Sequence, residues 1–119
     1  MNNKVVKNSE LKVKIGLNET SVPVRIDWIS DDNPNGPKSQ ECKAMLLSLF
    51  DKDQRETLKI DLWTTEMQIK EMDRFFFQTL RALSDTYFKS TKNAKLASAM
   101  QQFAQYFGEQ TETIPKKKA

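Results

Sequence analysis

The stretch from Lys43 to Trp63 constrains this chain most, because its apolar spacing changes partway along. Met45, Leu46, Leu49 and Phe50 recur at helical spacing, whereas Leu58, Ile60 and Leu62 alternate with Lys59, Asp61 and Trp63. A period near 3.6 that gives way to a period of 2 predicts a helix feeding a half-buried strand. The run between them, residues 51–56, is too polar to bury. None of these residues carries chemistry, so the stretch speaks to fold.

Two further alternating segments precede it. Leu11, Val13, Ile15 and Leu17 alternate with lysines, and Val22, Val24, Ile26 and Trp28 alternate with Pro23, Arg25, Asp27 and Ile29. Joined by the polar residues 18–21, they predict an antiparallel hairpin. Pro23 lacks a ladder donor and places the second strand at an edge. After a loop dense in turn formers, residues 30–38, a first helix is expected over 40–51, with Ser39 as N-cap and Glu41 in its first turn. The third strand follows at Thr57–Trp63. Thr65 and Gln68 fit a capping box for a second helix. Its stripe is Ile69, Met72, Phe76, Leu80, Leu83 and Tyr87, and Phe77 is the phenylalanine expected to point away from it, toward the third helix or a partner. Residues 89–93 interrupt this helix, and a third helix carries Leu96, Met100, Phe103 and Phe107, with Gly108 as a C-cap. The expected fold is therefore α+β, in the order strand, strand, helix, strand, helix, helix. The first strand lies in the middle of a three-stranded antiparallel sheet of order 2-1-3, and three helices cover one face. One domain spans residues 9–110, between a loose lead-in, 1–8, and a basic tail, 111–119.

Most of the chain resembles a known family, more weakly over the opening hairpin and the last helix than between them. Ala44-Met-Leu-Leu-Ser-Leu-Phe-Asp51, Thr57-Leu-Lys-Ile-Asp-Leu-Trp-Thr64, Met67, Met72 and Phe75-Phe-Phe-Gln-Thr-Leu80 are similar to the bacterial gliding-motility family called GldC. The likeness is densest over residues 43–80. It implies a small soluble protein linked to surface gliding in Bacteroidota-type bacteria, with no enzymatic activity and no catalytic residues to carry over. The loop at 31–38 and the Lys-rich tail depart from the pattern and inherit nothing.

Composition narrows the chemistry. The chain of 119 residues has no histidine and a single cysteine, Cys42. Imidazole general bases and His-ligated metals are excluded, and no intramolecular disulfide can form. That usage points to a reducing, cytoplasmic setting, and residues 1–7 show no apolar signal segment. Net charge is +3, with lysines and carboxylates interleaved, so nucleic-acid binding through a Lys-bearing sheet face and the Lys116–Lys118 run is the alternative reading, not the first. Asp31, Asn33, Asn35 and Gly36 begin a calcium-loop pattern, but Cys42 stands where the bidentate Glu belongs, and the segment reads as an Asx- and Pro-rich turn. Cys42 has no partner base and reads as a small apolar residue. The methionines Met45, Met67, Met72 and Met100 and the Phe75–Phe77 run are the ordinary composition of a core, or else the lining of an adaptable groove. No cofactor and no metal site is expected, and three scattered glycines form no phosphate loop.

The remaining expectation is a protein-interaction module that assists the gliding apparatus without catalysis. Leu58, Ile60 and Leu62 facing the helices would place Trp63 on the open side of the sheet, with Ile29 at the same end. Arg25, Ile29, Lys59, Asp61 and Trp63 are then the candidate partner-binding residues, an apolar spot within a charged rim. The competing role for Trp63 is to fold over the sheet end and staple Met67 at the start of the second helix.

Overall fold

A computed structural model describes residues 3–34, 36 and 38–116. Five strands and two helices follow one another as β1 (Leu11–Leu17), β2 (Pro23–Ser30), β3 (Gln40–Cys42), β4 (Ala44–Phe50), β5 (Thr57–Trp63), α1 (Ile69–Thr91) and α2 (Ala94–Gln110). The strands form two antiparallel sheets, β1-β2-β3 and β4-β5. The chain divides into two compact units, residues 1–67 and 68–119.

This arrangement replaces the three-stranded, three-helix fold of order 2-1-3. The segment expected as the first helix is β3 and β4, and β2, not β1, is the central strand of its sheet. Pairing decides the matter. Met45 lies opposite Leu62, Leu47 opposite Ile60 and Leu49 opposite Leu58. The same Leu- and Met-rich segment that suits a helix also alternates at period 2, and cross-strand apolar pairs override the weak helix preference. Pro23 sits at the first residue of the central strand, opposite Leu17 where the β1–β2 register shifts; a missing N–H is tolerated at such a position.

The connections of the β unit are built by short polar side chains. The Asn18 side-chain oxygen accepts from the Thr20 N–H at 2.9 Å and the Val22 N–H at 3.1 Å, closing the β1–β2 turn. Asp51 does the same between β4 and β5, accepting from the Asp53 N–H at 3.1 Å and the Gln54 N–H at 2.7 Å. Both are Asx-type turns, in which a side chain imitates a backbone acceptor. In the 31–36 loop, the Asp31 carboxylate accepts from the Glu10 N–H at 3.1 Å and Asp32 accepts from the Ser9 hydroxyl. Both carboxylates thus tie the loop to the start of β1. Asn35 of the calcium-like pattern lies outside the described residues, as do Lys117 and Lys118 of the basic tail.

The helical unit is an antiparallel hairpin with a very short connection. Lys92 adopts the left-handed conformation and its N–H returns to the Phe88 carbonyl, and Asn93 then caps α2 by accepting from the Leu96 N–H at 3.1 Å. Helix α1 begins one turn later than the Thr65 cap implied, with the Glu71 carboxylate accepting from the Gln68 N–H at 3.1 Å. The buried residues of the hairpin are Phe77 and Ser84 on α1 and Ala97, Ala104 and Gly108 on α2. The seam is therefore made chiefly of small residues, which let two helix backbones approach closely. Phe77 is the phenylalanine of its run that is buried; it meets the last helix, one of the two outcomes expected for it, and Gly108 lies inside α2 beneath it. A Cβ built on Gly108 would stand 2.6 Å from a Phe77 ring carbon.

Residues 111–114 fold back over the end of α2. The Thr113 N–H bonds to the Gly108 carbonyl at 2.9 Å and the Glu112 N–H to the Glu109 carbonyl at 3.1 Å. This is a Schellman closure with Glu112 at the left-handed position, φ 58°, where glycine is the favoured residue. Glu112→Gly is expected to raise stability by about 1 kcal/mol, the approximate cost of a side chain in that conformation; urea unfolding with an unchanged slope measures it.

Candidate protein-docking surface

The β4–β5 ribbon holds three of the five residues singled out above. On one face Ala44 opposes Trp63, Leu46 opposes Asp61, Ser48 opposes Lys59 and Phe50 opposes Thr57; on the other, Met45, Leu47 and Leu49 oppose Leu62, Ile60 and Leu58. Both faces are apolar in large part, and much of that surface meets solvent. Trp63 is 57% exposed and Phe50 70%, and Leu46, Leu49, Leu58 and Ile60 are exposed as well. Lys59 and Asp61 form an ion pair at 2.8 Å on the Trp63 face, so a charged pair stands between two aromatic side chains.

Arg25 and Ile29 lie in the other sheet. The Arg25 guanidinium grips Asp27 in a fork, with Nε at 2.8 Å from Oδ2 and Nη2 at 3.1 Å from Oδ1, and its Nη1 reaches Glu41 at 3.5 Å. The hydrogen bond from Arg25 holds the Asp27 carboxyl below the usual carboxylate range, since a bonded cation favours the ionised form. Ile29 is half-buried and opposes Lys12. The reasoning that set Ile29 beside Trp63 depended on sheet order 2-1-3. In the observed pairing, Ile29 partners β1 and Trp63 partners β4. The structure thus brings Lys59, Asp61 and Trp63 together on one ribbon and places Arg25 and Ile29 on a different sheet.

Sequence reading missed Leu46 and Phe50 as members of this surface because it placed them in a helix. The available signal was the matching length of two alternating segments, residues 44–50 and 57–63, around a polar run. The helical hairpin carries an apolar groove of about 430 Å³, lined by Leu80, Tyr87, Leu96, Ala99, Met100 and Phe103, of which sequence reading named only Met100 as groove lining. Small residues occupy the seam between the helices, so these larger ones are left to line a groove. Of the methionines considered as groove lining, Met100 takes that place.

Other chemistry-bearing groups have structural settings. Burial pushes the Cys42 thiol above its ordinary range, and the neighbouring Asp27 and Glu41 charges push the same way; a thiolate is disfavoured there. Among the described residues no cluster of acidic or cysteine side chains could hold a metal ion, and no described helix is long and apolar enough to cross a membrane.

No curated protein and no solved structure matches the chain. The family model described as gliding motility-associated protein GldC-like matches residues 23–113, from the start of β2 to the turn after α2. The chain belongs to the GldC-like family of gliding motility-associated proteins.

Proposed function

We propose that this protein serves the gliding apparatus as a non-enzymatic, cytoplasmic interaction module, and that the Trp63 face of the β4–β5 ribbon docks a protein partner. The supporting observation is the ribbon itself: seven paired positions with apolar side chains on both faces and an exposed Trp63 beside the Lys59–Asp61 pair. A two-stranded ribbon is marginal alone in water, and exposed apolar surface with a polar rim is a common docking feature. Trp is among the residues that most often anchor interfaces. The absence of histidine from the sequence and the raised Cys42 pKa support a role without catalysis. Nucleic-acid binding is the weaker reading, because the sheet cations Arg25 and Lys59 are engaged by Asp27, Glu41 and Asp61.

Trp63→Ala tests the docking role. Expected are a stability loss under ~1 kcal/mol, as at exposed positions, and loss of gliding in cells carrying the variant. A loss of ~3–5 kcal/mol, as for a buried Trp, would assign Trp63 to the core instead.

A further inference from the structure

The outer edge of β5 is matched to a second copy of itself. β5 pairs only with β4 among the described residues, so its far side presents an unpaired ladder. The direction of its hydrogen bonds follows from the bonds at the two ends of the ribbon. The Thr64 N–H bonds to the Lys43 carbonyl and the Asp51 N–H to the Glu56 carbonyl. Because bonding alternates along an antiparallel strand, Leu58, Ile60 and Leu62 bond toward β4. Thr57, Lys59, Asp61 and Trp63 therefore turn their N–H and C=O groups outward.

We infer that two chains join through this edge, β5 against β5 and antiparallel, about a two-fold axis at Ile60. Outward groups must meet outward groups, so odd positions pair with odd positions. The register centred on Ile60 sets Lys59 against the second copy's Asp61, and Asp61 against its Lys59. Ile60 meets Ile60, Leu58 meets Leu62 and Thr57 meets Trp63, so all seven strand residues are paired. The registers centred on Lys59 or Asp61 set lysine against lysine or aspartate against aspartate, which opposes pairing. The pattern is self-complementary, as a two-fold interface requires. The other sheet's edge, β1, differs. Its register is broken at Gly16/Leu17, and self-pairing centred on Val13 or Lys14 sets lysine against lysine, a device that keeps edges apart. The dimer would extend each ribbon into a four-stranded sheet and leave the Trp63 side chains on its face, free for the docking role proposed above.

Sedimentation equilibrium of the purified full chain tests this without any gliding partner. The wild type should run at twice 13.8 kDa. Lys59→Asp and Asp61→Lys each oppose like charges twice, and each should weaken the dimer at least ~10-fold, with circular dichroism unchanged. The double swap Lys59→Asp/Asp61→Lys should restore it. Ile60→Cys in a Cys42→Ser background should form a covalent dimer on oxidation, because a non-hydrogen-bonded pair brings Cα atoms to ~4.5 Å, within disulfide reach. A wild type that stays monomeric through the micromolar range would overturn the inference and leave the edge to an extended segment of another protein. A double swap as weak as the single variants, or a dimer that Ile60→Cys fails to cross-link, would overturn the register.

Discussion

Phe77→Ala is expected to cost about 3–5 kcal/mol of stability, as for other buried phenylalanines. Phe77 is 5% exposed and its ring fills the space that Gly108 leaves open on α2. Arg81 also stands over the ring, with its guanidinium carbon 5.6 Å from the centroid. Gly108→Ala alone should cost roughly 1–3 kcal/mol from overpacking, less about 1 kcal/mol regained because alanine suits a helix better than glycine. The two changes should not add. With the Phe77 ring removed, a methyl group at position 108 loses its two tightest contacts and has only the Ile114 side chain, 2.9 Å away, to displace, so it should recover part of the loss, a favourable coupling of about 0.5–3 kcal/mol in a double-mutant cycle. Urea unfolding of the four proteins, followed by helical circular dichroism, measures it. Strict additivity would mean that the helices do not cross at Gly108.

Ile26→Ala is expected to cost about 2–5 kcal/mol. Ile26 has no exposed surface, whereas its neighbour across the ladder, Ile15, is 36% exposed. It stands on the central strand between Ile15 and Cys42, so truncation leaves a cavity flanked by two paired strands. Ile15→Ala, at the edge and partly wet already, should cost visibly less. Denaturation of both variants followed by near-ultraviolet circular dichroism from Trp28 and Trp63 makes the comparison. Equal losses would show that β2 is not the buried centre of its sheet.

Much of the local structure was legible because period and punctuation agreed. Thr57–Trp63 is a strand with the expected bounds, the β1–β2 hairpin is present, and two helices part within the expected break at residues 89–93, although residues 89–91 still belong to α1. Residues 40–51 were not legible. Ala44, Met45, Leu46, Leu47 and Leu49 are good helix formers and fit a period of 3.6, while Met45, Leu47 and Leu49 fit a period of 2 equally well. What selects the strand is non-local, namely Leu58, Ile60 and Leu62 lying opposite, and single-segment periodicity cannot weigh a partner. Sheet order then failed with it, and so did the neighbourhood of Ile29 and Trp63. Phe77 was legible as the phenylalanine set apart from the stripe, but the choice between the last helix and a partner was not. That choice depends on where α2 offers a residue without a side chain, and Gly108 read by itself resembled a terminating glycine. The exposure of Trp63 was legible only as one of two alternatives, because alternation within β5 sets its face and not what covers that face.

The family links the protein to gliding motility, and the docking role proposed for the β4–β5 ribbon is what remains to be measured. The most direct measurement is parallel affinity capture of the wild type and Trp63→Ala from gliding cells, with quantitative mass spectrometry of the co-purifying proteins. The account predicts that a component of the gliding machinery is enriched with the wild type and lost with Trp63→Ala, while the variant keeps its unfolding midpoint. The same gliding component held equally by both proteins would contradict it.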